Sequence, residues 1–470
     1  MSRRAATAAL VALVSLAVCS TASADSSSPI NGYRVKASAK NLERLALAGF
    51  DVTEGRNARR RTVEVFGSAA QLAKLRRDTG TKSRLVRDAR GRTSAQRSAR
   101  VARSTRARAA DHNPLTGSDA PYAVWTRFDA VPGDGKEQYT ELYDRLDDLS
   151  IVKQATFGPK THLGRDVIAL KVTRNAKTTP DGSRPAVLYS ALQHAREWLA
   201  GETCKRTLKY FTSNYGKDPQ VTRLVDENEL WFVCVGNPDG YEYTFTAGNR
   251  LWRKNMADND GDGEFGEIGD GVDPNRNFPR NWGLDDEGSS SALDSETYRG
   301  PSAGSEPETK AMIAVMDHVD FAFQKNDHTA AQLLLYPQGF QQYTPTADDA
   351  IFTALAGDDA NPAIKTFDPD LGAELYITNG DTNDYAYAEK QILSYTPEGT
   401  PASDTSLTGF EFEDKEPAIE AEFKRHLPFS LDLAESAAKP DAPKSHLGNT
   451  VEDFYVERSQ TPTAIRSRSR

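Results

Sequence analysis

Two residue types that can share one ion stand close together early in the second third of this 470-residue chain. His194-Ala-Arg-Glu197 sets an imidazole and a carboxylate three residues apart, on one side of a helical turn and within reach of a single metal. A catalytic metal also needs a third ligand and an open position for water. With seven His in the chain, one His-x-x-Glu arises readily by chance, and a lone His is more often a hydrogen-bonded structural residue. The pair gains meaning only from its company.

That company follows in order. Asn237-Pro-Asp-Gly-Tyr241 reads by itself as a turn. Arg250-Leu-Trp-Arg-Lys254 and Asp273-Pro-Asn-Arg-Asn277 come next, then His328 in Asp327-His-Thr, ahead of the apolar run Leu333-Leu-Leu-Tyr-Pro337. Leu375-Tyr376 and Glu398, in Ser-Tyr-Thr-Pro-Glu, complete the set. Each piece is modest. Seven in this order, over about residues 118–435, resemble the secreted zinc metallocarboxypeptidases of the carboxypeptidase A and carboxypeptidase T type.

The resemblance implies a role for each position. His194, Glu197 and His328 would ligate zinc, and Asp273 would bond the free ring nitrogen of His194, fixing its tautomer. Glu398 would be the general base for the attacking water, and Arg253 would stabilise the oxyanion. Asn275 and Arg276 would hold the terminal carboxylate of a peptide, for which an arginine fork is well shaped. Tyr376 would cap the bound residue. Elementary chemistry agrees: an exopeptidase must recognise a free carboxylate and so needs a cation beside the metal, whereas an endopeptidase would not need Arg276. The expected activity is removal of the C-terminal residue from peptides. Alternatives are a hydrolase of cell-wall peptides or acyl-amino acids on the same fold, or a non-catalytic peptide-binding relative; the complete ligand set with Glu398 speaks against the last.

Two stretches depart from the family pattern or add to it. Thr329-Ala330 stand where members often carry Ser-Tyr, which removes a side-chain wall for the penultimate substrate residue. In Asn379-Gly-Asp-Thr-Asn-Asp384 the position that often selects the side chain falls on the neutral Asn383, with Asp381 and Asp384 nearby; the resemblance of Asp381 to the carboxypeptidase T pattern implies a mixed apolar and basic preference. Separately, Asp258-Asn-Asp-Gly-Asp-Gly263 places Asp258, Asp260 and Asp262 at positions 1, 3 and 5 of a calcium-type loop. Position 12 is Gly269 rather than Glu, so the expectation is a bound structural calcium or a bare acidic turn.

The elements that must position these groups alternate. The pattern predicts helices over 137–149, 197–215, 306–318, 383–389 and 419–437, and strands over 166–172, 186–192, 229–235, 331–336 and 391–395. Such alternation predicts an α/β fold: one catalytic domain over 118–437 with a central mixed sheet flanked by helices. Ligands then gather at the carboxyl ends of strands.

The ends of the chain differ from this body. Arg3-Arg4, the apolar run from Ala8 to Val18 and Ala22-Ser-Ala24 read as a signal peptide over 1–24, so a secreted protein is expected, with twin-arginine export the weaker route because Ala6 is small. No later stretch is apolar enough to span a membrane. Residues 25–110 carry 21 Lys/Arg against 7 Asp/Glu, and the residues after Ala110 carry 35 against 60. Nucleic-acid binding is one reading of that split. A basic pro-segment complementary to the acidic domain is the better one in an exported chain, and no nucleic-acid partner is expected. Short apolar stretches over 31–90 predict a small α/β unit, and the Arg/Ser/Ala run over 90–110 a linker open to a trypsin-like activating protease. Cys204 and Cys234 permit one disulfide or two buried thiols. The Pro-rich tail over 438–470 should fray, and a monomer is expected.

Overall fold

The computed structural model describes residues 29–52, 61–87, 90–97, 99, 124–131, 135–401, 409–412 and 415–454. The expected signal peptide, most of the Arg-rich linker and the last Arg residues lie outside them.

A small unit comes first. Strand β1 (Asn31–Lys36) lies between β2 (Thr62–Gly67) and β3 (Ser83–Leu85), antiparallel to both, with helices α1 (Ala39–Leu47) and α2 (Ala69–Thr79) on the sheet. Ser68 and Gln71 close α2 with a reciprocal capping box. Tyr33, Val35, Leu45, Val63, Val65, Leu72 and Leu75 form its own core.

The larger body opens with α3 (Tyr139–Asp147), β4 (Val152–Phe157), β5 (Val167–Val172) and β6 (Ala186–Ala191). Helices α4 (Trp198–Asn214) and α5 (Pro219–Glu227) lead to β7 (Glu229–Val233) and the short α6 (Pro238–Tyr243). Then follow α7 (Pro307–His318), β8 (Phe321–Thr329), β9 (Leu333–Tyr336), α8 (Asp349–Ala356), β10 (Asp368–Leu371), α9 (Thr382–Lys390), β11 (Leu393–Gly399) and α10 (Glu416–Ser436). Eight strands form one mixed sheet in the order β10-β9-β11-β8-β6-β7-β5-β4. The centre, β11-β8-β6-β7, is parallel; β9 joins β11 antiparallel, and so do β5 to β7 and β4 to β5.

Alternation along β6 divides the core. Val187, Tyr189 and Ala191 point into one apolar cluster with Cys204, Leu208 and Phe211 of α4 and Phe429 and Leu433 of α10. Ala186 and Leu188 point into the other, with Met312, Val315 and Met316 of α7. Every residue of β6 is buried, as expected of a central strand covered on both faces. Cys204 and Cys234 are joined as a disulfide that ties α4 to the end of β7.

Three expectations shift. The strand β8 carrying His328 is not read from the sequence, because its second half is Gln324-Lys-Asn-Asp-His328. Residues 90–97 are not a free linker: Ser94 Oγ donates to Glu411 Oε1 at 2.6 Å, and Ala95 is buried. The tail is held as far as residue 454, since Asp432 accepts the backbone N–H of His446 and meets its ring nitrogen at 2.6 Å. Among the described residues no helix is long and apolar enough to cross a membrane.

Candidate metal and peptide site

Because β6, β7, β8 and β11 run the same way, the segments leaving their carboxyl ends meet along one edge. His194 follows β6, Asn237 follows β7, His328 lies in the last turn of the β8 ladder, and Glu398 pairs with His328 from β11.

The ligand turn is tightly determined. Leu192 takes a left-handed backbone (φ 55°) just after β6, a conformation costly for a non-glycine residue unless its surroundings hold it. His194 and Glu197 sit in the turn ahead of α4, closed by Glu197 N–H to His194 O, rather than on the helix itself. Asn237 supplies the stitching. Its side chain donates to the carbonyls of Gln193 and Lys254, both 3.1 Å away, and accepts the N–H of Gly240. A Cβ on Gly240 would stand 2.4 Å from the Lys254 carbonyl oxygen, so the Asn-Pro-Asp-Gly turn needs its glycine for close approach.

Glu197 bridges the two imidazoles: Oε1 lies 2.6 Å from His194 Nδ1 and Oε2 lies 3.0 Å from His328 Nδ1. The two Nδ1 atoms are 3.1 Å apart. All three residues are buried, and their ligand atoms lie within 4.8 Å of one another. The donor set fits zinc, and the outward ring nitrogens are held as a metal-ligating His requires. His194 Nε2 is 3.1 Å from Asp273 Oδ1, and His328 Nε2 is 3.2 Å from Gln193 Oε1. Burial, with Arg253 nearby, pushes the His194 pKa well below its ordinary value, which keeps the imidazole in its neutral, ligating form. Burial alone would raise the Asp273 carboxyl, but Arg253, His194 and Arg276 hold it well below the usual range.

Arg253 and Arg276 flank this cluster in different states. Arg253 donates through Nε and Nη2 to Asp273 Oδ2 (3.0 and 2.9 Å). Its Nη1 meets Asp51 Oδ2 of the small N-terminal unit at 2.6 Å, both groups buried. Arg276 is equally buried; its Nη1 donates to the Asn275 carbonyl, and its Nη2 contacts the Tyr376 hydroxyl. Its Nε has no hydrogen-bond partner, and among the described residues no carboxylate comes within ion-pair distance of it. Arg276, Asn275, Tyr376 and Glu398 line one cavity, together with Leu335 and Asp381. Asn275 Oδ1 accepts the backbone and hydroxyl of Thr382.

Asn383 also lines that cavity, but its Oδ1 accepts the Ser394 hydroxyl at 2.6 Å. Asp381 accepts the N–H of Asp384 and the Thr378 hydroxyl. Ala330 is buried in a cluster with Phe66 of the N-terminal unit, Leu251 and Phe410. The loop with Asp258, Asp260 and Asp262 brings the three carboxylates together in an exposed place. They accept the N–H groups of Gly261, Gly263, Asp262 and Glu264, and a structural calcium there is not supported.

Two contributors escape sequence reading. Gln193 orients His328 and is signalled only by its place beside His194. Asp51 lies about two hundred positions from the arginine it meets, with no local signal.

Residues 142–424 match the family model described as zinc carboxypeptidase. Bovine carboxypeptidase A1 is 32% identical over 275 residues, covering 57% of this chain and 63% of its own length. A zinc carboxypeptidase of Saccharothrix mutabilis subsp. capreolus is 33% identical over 293 residues, 58% of this chain and 63% of that one. The aligned part thus spans somewhat less than two thirds of these relatives. Among solved structures, carboxypeptidase A from Helicoverpa armigera superposes with a TM-score of 0.65 at 22% identity, over 87% of this chain and 98% of that one; thrombin activatable fibrinolysis inhibitor does so at 0.63 and 19%, over 88% and 99%. These two share the fold. With a match over more than half its length and the donor cluster in place, the chain belongs to the zinc carboxypeptidase family.

Proposed function

We propose that the protein is a secreted zinc-dependent exopeptidase that removes the C-terminal residue from peptides and proteins and is made as a zymogen. One observation carries the reading: the buried Arg276 guanidinium has an unpartnered N–H and, among the described residues, no carboxylate in direct contact, in the cavity that Glu398 also lines. A buried cation without an anion is costly unless a ligand provides one. A peptide's terminal carboxylate is the ligand that fits.

His194, Glu197 and His328 would hold the zinc, which supplies a Lewis acid that acidifies water and polarises the scissile carbonyl. Arg276, steadied by the Asn275 carbonyl, binds the terminal carboxylate and fixes the bond to be cut. Glu398 accepts the proton of the attacking water and delivers it to the leaving amine. Arg253 donates to the oxygen on which charge develops. Tyr376 moves off Arg276 as substrate enters and covers the bound residue. Leu335 and Tyr336 give the cavity an apolar side and Asp381 an acidic one, which supports a mixed apolar and basic preference. A peptide panel cut only at Phe and Leu ends and never at Lys or Arg ends would refute that preference.

The zymogen reading rests on the Asp51–Arg253 pair and on Phe66, which covers Ala330. Residues 25–110 would be the pro-segment and 118–437 the catalytic domain, released by a trypsin-like cut; a monomer acting on peptide termini is expected. The test is direct. Residues 25–470 are expressed, trimmed with trypsin and assayed for C-terminal release, with and without a zinc chelator and as Glu398→Ala. Activity should appear on trimming and vanish in both controls; survival in either sinks the mechanism.

A further inference from the structure

A second group of metal-type donors lies outside this cavity. His162 is in the turn between β4 and β5, Glu306 directly precedes α7, and Glu308 is in its first turn. One imidazole nitrogen and two carboxylate oxygens from them come within 4.8 Å of one another. His162 Nε2 stands 2.9 Å from Glu306 Oε2. Asn255 Nδ2 donates to both acids, 2.8 Å from Glu306 Oε2 and 2.9 Å from Glu308 Oε2, and Glu306 Oε1 accepts the Ser305 hydroxyl at 2.6 Å.

Glu308 supplies the independent sign of a ligand. It is 1% exposed, yet its Oε1 has no hydrogen-bond partner. Native interiors rarely leave a carboxylate oxygen in that state, and an ion is one of the standard explanations. The Asn255 amide, aimed at both carboxylates, is the type of outer donor that orients metal ligands. His162 faces solvent, leaving an entry path and room for water to complete the coordination.

We propose that His162, Glu306 and Glu308 bind a second divalent cation, of the borderline class that takes imidazole and carboxylate together, such as zinc, cobalt or nickel. Its work is structural. It ties the β4–β5 turn to the start of α7 and, through Asn255, to the strip between Arg253 and Asp273. Asn255 is already bound to that strip, its N–H to the Val272 carbonyl and its Oδ1 to the Val272 N–H. The site does not depend on the proposed peptidase activity.

Metal content of the full chain after dialysis against zinc-buffered solution tests this, with circular dichroism as the check on folding. Wild type should hold two zinc ions per chain, His162→Ala and Glu308→Gln one each, and His194→Ala one. Zinc should raise the melting temperature of His194→Ala but not of His194→Ala combined with His162→Ala. A single zinc in wild type, none in His194→Ala, or two in a folded His162→Ala overturns the proposal. Should Glu308→Gln fail to fold, the solvent-facing His162→Ala carries the test. If His162, Glu306 and Glu308 merely share protons, zinc will leave the His194→Ala melting temperature unmoved, which also overturns it.

Discussion

Arg253 and Arg276 are two arginines buried to the same degree on either side of one site, yet one is saturated with charge and the other starved of it. Arg253 has Asp273 on one edge and Asp51 on another. Arg276 has a carbonyl, a tyrosine hydroxyl and an idle Nε. On the proposed function, the difference separates two tasks. A group that stabilises charge arising during the reaction should be preorganised and can be silenced by a surrogate anion. A group that recognises a charge the substrate brings must keep a vacancy for it.

The sharpest way to break this comparison is to remove each arginine from the trimmed enzyme. Arg276→Ala should cost the most, about 2–5 kcal/mol in kcat/KM as for loss of one partner of a buried charge pair, chiefly through KM. It should also erase the preference for free over amidated C-termini. Arg253→Ala should lower kcat by about 10²–10³-fold with KM little changed. Steady-state kinetics on matched free and amidated peptides decide; an exchange of the two patterns would reverse the roles. Gln193→Ala, which loosens His328, should weaken zinc about 10–100-fold in competition with a chelator and leave both arginine phenotypes intact.

Asp51→Asn probes the surrogate anion. Because Arg253 keeps Asp273, the loss should be well below the 3–5 kcal/mol of a fully orphaned buried charge. Untrimmed protein should gain about tenfold in residual activity, while trimmed protein is unchanged. The smallest effect is on pH. The Asp273 carboxyl is held below its ordinary value, so its stabilising contribution is complete above the unfolded pKa near 3.8 and fades only as pH falls through the lower folded value. The melting temperature of metal-free protein should therefore lose this contribution only below about pH 4, and Arg253→Ala should move the loss to higher pH.

Much of this is legible in the sequence. Runs such as Ala186–Leu192 and the 3.6-residue pattern after Glu197 declare their elements, because burial on known faces leaves a periodic trace. The order of the short motifs places every group around the cluster. Strand β8 escapes sequence reading because polar residues fill it: Lys325 pairs with Asp327 on the same strand, while Gln324 is settled by Ser190 and Ser394 and Asn326 by Ser190 and Gln193, all distant in sequence. Hydrophobic periodicity cannot register polar groups satisfied across a sheet. Strand β11 runs further than expected, through Pro397 to Gly399; its ladder to β8 skips Thr396 and Pro397, where β9 takes over on the other side. Asp51 was illegible for the same reason as Gln193: their meaning is a meeting in space.

The pairing of Glu398 with His328 across β11 and β8 sets a limit on how this protein can vary. Strand side chains alternate, so one residue added or lost between Leu393 and Pro397 would turn Glu398 to the opposite face. The separation of base and ligand is thus counted in whole residues, with no half measures. Changes of length must be absorbed in the connections outside the ladder, and a drift of one position within it would be felt as a complete loss rather than a gradual decline.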